Sequence, residues 1–284
     1  DQSSRSIESQ LEAAGLGIQG GELVSESADP VTAKVKSVLA ILHQKGFKPH
    51  CGGVHIAPRL VLTAAHCLFD DDTKTWIPVK DLKISTCIDN KSEGCNWSQV
   101  KSFIVHEDYY LQNEENVKNR EKYSAPIPAS FNDVAIVLID NPAKTRVFVP
   151  TSPMSPAAND ELFAFGVGKI QRDASLDRMM RTVKLSADLA SNHMQDPKDA
   201  VGRYLAIHTS EKGICPGDSG GPIFIVKDGS ILLSGLALMN LSGAQKSACR
   251  VWASVILDLS QYSDWIKNKS EQLLGKVRTG QKRN

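Results

Sequence analysis

From Lys36 onward, short apolar runs alternate with clusters of Gly, Pro, Asn and Asp. The runs occupy residues 37–42, 60–62, 134–139, 222–226 and 231–233. Each is shorter than an ordinary helix and bounded by turn-forming residues. Many short strands at this spacing predict an all-β barrel or sandwich. Two stretches depart from the pattern. Residues 110–129 are polar and charged and read as a long surface loop. From Asp258 the period changes, and Leu259, Tyr262, Trp265 and Ile266 fall on one helical face. Asp258 and Gln261 are placed to form a capping box, although it is not the favoured Ser/Thr version. A C-terminal helix docked on the β-structure is therefore expected. The basic stretch beyond Leu274 is expected to fray, and residues 1–17 carry no period.

A chain of 284 residues suits one large two-lobed domain or two small ones. The net charge of +1 points to neither nucleic acid nor a membrane surface as the main partner. No apolar run approaches the roughly 18 residues a bilayer span needs. The polar start does not read as a signal peptide, so the protein is either intracellular or already processed. Six cysteines decide between these: Cys51, Cys67, Cys87, Cys95, Cys215 and Cys249. Six allow about 15 pairings, and no Cys-x-x-Cys points to zinc or redox chemistry. Full pairing places the chain in an oxidising compartment.

Three segments carry candidate chemistry. In Leu62-Thr63-Ala64-Ala65-His66-Cys67, a histidine follows an apolar strand. It sits beside a cysteine that could tie back to Cys51-Gly52-Gly53. A bridge closing a loop of that length is worth about 3 kcal/mol and would fix the backbone carrying the imidazole. Asn132-Asp133 opens the run 134–139, where a carboxylate drawn inward needs a partner. Alone, it would read as a capping aspartate in a turn. Cys215-Pro216-Gly217-Asp218-Ser219-Gly220-Gly221-Pro222 surrounds one serine with three glycines. Such a turn presents the hydroxyl and leaves N–H groups to face a substrate oxygen.

Together, Thr63-Ala64-Ala65-His66-Cys67, Asn132-Asp133-Val134-Ala135 and Gly217-Asp218-Ser219-Gly220-Gly221-Pro222 resemble the trypsin/chymotrypsin family of serine peptidases. They occur in that family's chain order, His then Asp then Ser. The resemblance runs from about Ile18 to the end of the C-terminal helix. It implies two six-stranded antiparallel β-barrels, a first lobe at about 18–150 and a second at about 151–257. A helix follows from about 258. By the family's mechanism, Ser219 attacks the scissile carbonyl and His66 shuttles its proton. Asp133 orients His66, and the N–H groups of Gly217 and Ser219 form the oxyanion hole. Phe165-Gly166-Val167-Gly168 resembles the family's Gly-aromatic-Gly segment. The implied protein is secreted or periplasmic and needs no cofactor or metal. Its implied partners are a protein or peptide substrate and an activating protease. The alternative is a catalytically silent homologue that binds a partner through the same cleft.

Family members are precursors, cleaved before an Ile/Val-x-Gly-Gly segment that here is Ile18-Gln19-Gly20-Gly21. The freed ammonium pairs with the aspartate before the nucleophile, here Asp218. Residues 1–17 thus read as a propeptide and 18–284 as the peptidase domain. The bond to be cut is Gly17–Ile18, which a trypsin-like activator is not expected to cleave. While the chain stays continuous there, a malformed oxyanion hole is expected.

The resemblance puts Gly213 on the specificity-pocket floor, so cleavage after Arg or Lys is disfavoured. If Trp252-Ala253-Ser254-Val255 is the last strand, Arg250 stands on the back wall and favours an acidic substrate side chain. Such an enzyme would need a second protease for Gly17–Ile18. Otherwise the Gly213 floor suits a small or apolar residue. The family's usual Ser-Trp-Gly is Leu238-Met239-Asn240 here. This loses a hydroxyl that normally donates to the triad aspartate, worth about 1–3 kcal/mol. Asn240 also narrows the entrance. The resemblance pairs Cys51 with Cys67 and Cys215 with Cys249, which leaves Cys87 for Cys95. Asp70-Asp71-Asp72 lacks the alternation of a calcium loop and reads as a solvated turn. Asn90, Asn96, Asn240 and Asn268 each begin an Asn-x-Ser triplet, the glycosylation pattern.

Overall fold

The computed structural model describes residues 18–44, 48–70, 72–73, 75–86, 88, 95–109, 132–168, 179–194, 200–241 and 251–280. Within them the elements run β1 (Glu22–Leu23), α1 (Pro30–Val35), β2 (Leu39–Gln44), β3 (Lys48–Ala57) and β4 (Leu60–Thr63). Next come β5 (Phe69–Asp70), β6 (Thr75–Trp76), β7 (Lys83–Ser85), β8 (Trp97–Val105) and β9 (Ala135–Ile139). The second half holds β10 (Glu161–Gly166), β11 (Arg181–Leu189), β12 (Arg203–Ile207), β13 (Pro222–Lys227), β14 (Ser230–Asn240), β15 (Ala253–Asp258) and α2 (Ser263–Gly280). All five apolar runs lie wholly or mostly within strands, with residues 37–38 in a 3-10 turn before β2. The loop expected at 110–129 lies outside the described residues.

The strands close into two six-stranded antiparallel barrels. The first runs β2-β3-β4-β9-β8-β7 and returns to β2. The second runs β11-β10-β13-β14-β15-β12, closed where β12 pairs back on β11. Closure removes the exposed edges that short strands would otherwise present. β9 shows why its sequence is uninterruptedly apolar: all five of its residues are buried between β4 and β8. β11 borders solvent on one face, and its burial alternates accordingly.

The first lobe was expected to begin at Ile18, but residues 18–23 attach to the second barrel. Ile18 is buried in that barrel's core with Leu162, Tyr204, Ile223 and Ile256. β1 pairs with β11. A larger apolar cluster joins the first barrel to the second through Phe163, Phe165 and Phe224.

At the C-terminus, Asp258 caps a 3-10 turn (Leu259–Tyr262), its carboxylate accepting from the N–H of Ser260. The bond goes to Ser260 and not into a box with Gln261. Helix α2 then continues to Gly280, past the point where fraying was expected.

Candidate active site

His66 sits in the 3-10 turn Ala65–Leu68 that follows β4. The Cys51–Cys67 disulfide ties this turn to β3. Asp133, 3% exposed, lies two residues before β9, the strand that pairs with β4. The register of these neighbours brings the two side chains together. His66 Nδ1 is 2.7 Å from Asp133 Oδ2. The backbone N–H of His66 donates to Oδ1 at 2.8 Å. Among the described residues, both hydrogen bonds to this carboxylate come from His66. Leu238, at the position where a hydroxyl was missed, is buried and apolar.

Ser219 belongs to the second barrel, on the turn before β13, and this turn is stitched to the first. The N–H of Gly52 donates to the Ser219 carbonyl at 2.8 Å. Gly220, at φ 73°, packs so closely that a Cβ there would lie 2.3 Å from Thr63 Oγ1 and 2.6 Å from the Gly52 carbonyl oxygen. Thr63 in turn donates to that same carbonyl. The serine turn therefore rests on the strand ends that carry His66. The Ser219 hydroxyl donates to the carbonyl of Leu238 at 3.0 Å.

Within the turn, the N–H groups of Asp218, Gly220 and Gly221 all have backbone acceptors. Those of Gly217 and Ser219 have none among the described residues. Asp218 is buried, its carboxylate accepting from the N–H of Cys215 at 2.7 Å and of Gly168 at 2.5 Å. Burial pushes its carboxyl up to about 7, with the two N–H bonds opposing. Gly166 and Gly168 make room for it: a Cβ at Gly166 would meet Asp218 Oδ1 at 2.0 Å. Gln19 exchanges two backbone hydrogen bonds with Gly213. The segment beginning at Ile18 is docked, and the Asp218 carboxylate is bonded to the N–H groups of Cys215 and Gly168.

The cysteines follow the sequence reading as far as they are described. Cys95 and Cys215 are disulfide-bonded, while Cys87 and Cys249, the partners expected of them, lie outside the described residues. Arg250 also lies outside them. Donor atoms of Cys51, His66 and Cys67 fall within 4.8 Å of one another. Both sulfurs are joined in the disulfide, so this is not a thiolate ligand set. Asp70 accepts from the N–H groups of Asp72 and Thr73, a local turn.

Sequence reasoning missed two residues beside Gly213. His208 Nε2 is 2.8 Å from Ser254 Oγ, and the His208 ring fills the space where a Gly213 side chain would be. Nothing in the strand pattern marks this histidine, since its role depends on β12 and β15 being neighbours.

Comparison with known proteins agrees with this geometry. The family model described as Trypsin matches residues 18–266. The chain belongs to the trypsin-like serine peptidase family. Trypsin of Simulium vittatum is 28% identical to it over 76% of this chain and 80% of its own length. Serine protease SSP1 of Scolopendra subspinipes is 24% identical over 89% and 83% respectively. Human kallikrein-2 is 28% identical over 77% and 79%. At such distances family membership fixes the two-barrel fold.

Proposed function

We propose that this protein is a secreted serine endopeptidase, made as a precursor and activated by cleavage before Ile18. Ser219 attacks the scissile carbonyl, His66 takes its proton and returns it to the leaving amine, and Asp133 holds His66 in the required tautomer. The N–H groups of Gly217 and Ser219 receive the oxyanion. The observation that carries the reading is the paired His66–Asp133 contact, 2.7 Å between Nδ1 and Oδ2, on the strand ends against which the Ser219 turn packs. The unclaimed N–H groups of Gly217 and Ser219 support the oxyanion role. Activation is supported by the buried Ile18 and by Asp218, a buried carboxyl that an ammonium group would stabilise as its anion. The Cys51–Cys67 bridge favours an oxidising compartment. No helix of the described residues is long and apolar enough to cross a membrane.

The test is labelling with a fluorophosphonate before and after removal of residues 1–17, with Ser219→Ala as control. Labelling that depends on Ser219 and on a new Ile18 N-terminus is the expected result. Labelling of the uncut chain would refute the precursor and leave the triad intact. A folded protein with a verified Ile18 terminus and no labelling would instead be a silent homologue that binds through its cleft.

A further inference from the structure

A cavity of about 270 Å³ opens beside Ser219, and Met239 is among the described residues that line it. A peptide placed for attack by Ser219 lies against this lining. Burial along β14 is unbroken from Leu233 to Leu238 and stops at Met239, which is 40% exposed. The strand changes register against β15 between Ala237 and Met239. Such an irregularity re-aims a side chain, and here it leaves Leu238 inside and Met239 at the surface.

The chain holds five methionines. Met180 is 1% exposed in the core, and Met179 and Met194 are half-buried. Met154 is 57% exposed but does not line the cavity. Met239 thus combines access to solvent with contact to the path of the substrate. No described cysteine is free, so among the described residues no thiol competes for an oxidant.

We propose that Met239 is an oxidation site through which hydrogen peroxide or an organic hydroperoxide weakens peptide binding beside Ser219. The effect on activity rests on the peptidase reading above, and the site itself does not. The Met239 sulfur attacks one peroxide oxygen, the O–O bond breaks and an S–O bond forms. The oxygen delivered to sulfur passes its proton to the departing one, which leaves as water or an alcohol. Sulfur loses two electrons and the peroxide gains them. A polar, chiral sulfoxide replaces a flexible apolar side chain. A peptide laid on it has to displace water from the sulfoxide oxygen, a cost the thioether does not carry. Ser219, His66 and Asp133 hold no sulfur, so the chemistry at the nucleophile stays as it was.

The experiment treats the enzyme, with residues 1–17 removed, with hydrogen peroxide. Peptide mapping follows the gain of one oxygen at each methionine, and Met239 gains it at least about 10-fold faster than Met180. In step with Met239, kcat/KM for a peptide falls about 10-fold, through KM, while fluorophosphonate labelling of Ser219 changes by less than about 2-fold. Met239→Leu, compared with its own untreated rate, keeps its kcat/KM through the treatment. Met154→Leu loses activity as the wild type does. A Met239 that oxidises no faster than Met180 overturns the site. Full oxidation of Met239 with kcat/KM unchanged overturns its effect, as does an equal loss in Met239→Leu. A processed wild type that neither takes the label nor cleaves peptide overturns the peptidase reading and the effect on activity with it, while the mapping still decides the oxidation site.

Discussion

Asp133 holds His66 by two contacts, one to the backbone and one to the ring. Asp133→Asn keeps the shape but presents an amide to the ring, favouring the wrong tautomer. Loss of about 10⁴-fold in kcat is expected, by analogy with this family's well-studied triad. Two buried titratable groups act on stability in opposite directions. His55, 1% exposed on β3, has no hydrogen-bond partner at either ring nitrogen among the described residues, and burial pushes it down to about 4. The unfolded chain therefore binds this proton first, and stability is lost as pH falls from about 6.5 toward about 4. Asp218, raised to about 7 by burial, binds its proton more tightly in the folded state. Its contribution is full below the ordinary aspartate range and lost as pH rises through about 7. The stability difference between His55→Leu and wild type should thus grow in favour of the variant as pH falls. For Asp218→Asn it should grow as pH rises. Urea midpoints between pH 4 and 7, on uncut protein, check both, with slopes up to about 1.4 kcal/mol per pH unit.

Between elements, the decisive contact is the seam where the Ser219 turn meets the ends of β3 and β4. Gly220→Ala would place a Cβ on Thr63 and on the Gly52 carbonyl at a φ that L-residues avoid. A loss of at least about 2 kcal/mol is expected, together with activity, and a thermal melt with fluorophosphonate titration reads both. The C-terminal helix reaches the site indirectly. Tyr262 donates to Asn132 Oδ1 at 3.1 Å, and Asn132, at φ 56°, immediately precedes Asp133. Tyr262→Phe should cost about 1 kcal/mol of stability and lower kcat several-fold with KM little changed. A fall in stability without a change in kcat would limit the tyrosine to docking the helix. The helix itself was legible from the spacing of Leu259, Tyr262, Trp265 and Ile266. Its hold on Asn132 was not, because 130 residues separate the two partners.

At the scale of the molecule, the proposed activation would act through the N-terminal segment, which packs on the second barrel. Ile18 and Gln19 dock beside Gly213 and on the core that leads to Asp218. In the proposed activation, an ammonium created at Ile18 pairs with Asp218, a carboxyl otherwise driven toward its neutral form. After cleavage, the pH-dependent loss of stability assigned to Asp218 should therefore flatten.

The sequence by itself determined the β-architecture, the C-terminal helix and the three short motifs around His66, Asp133 and Ser219. It could do so because strand length, helical period and glycine-rich turns are local properties. The family resemblance put Asn240 at an expected pocket entrance and Gly213 at its expected floor, but not what either contacts there. Only the tertiary structure decided that Asn240 bridges Ile214 to Ser254 and that His208 occupies the space a glycine leaves. Those contacts join β14, β12, β15 and the turn before β13. The physical reason is that a side chain's reach is set by which strands close the barrel beside it, and a linear pattern does not carry that information.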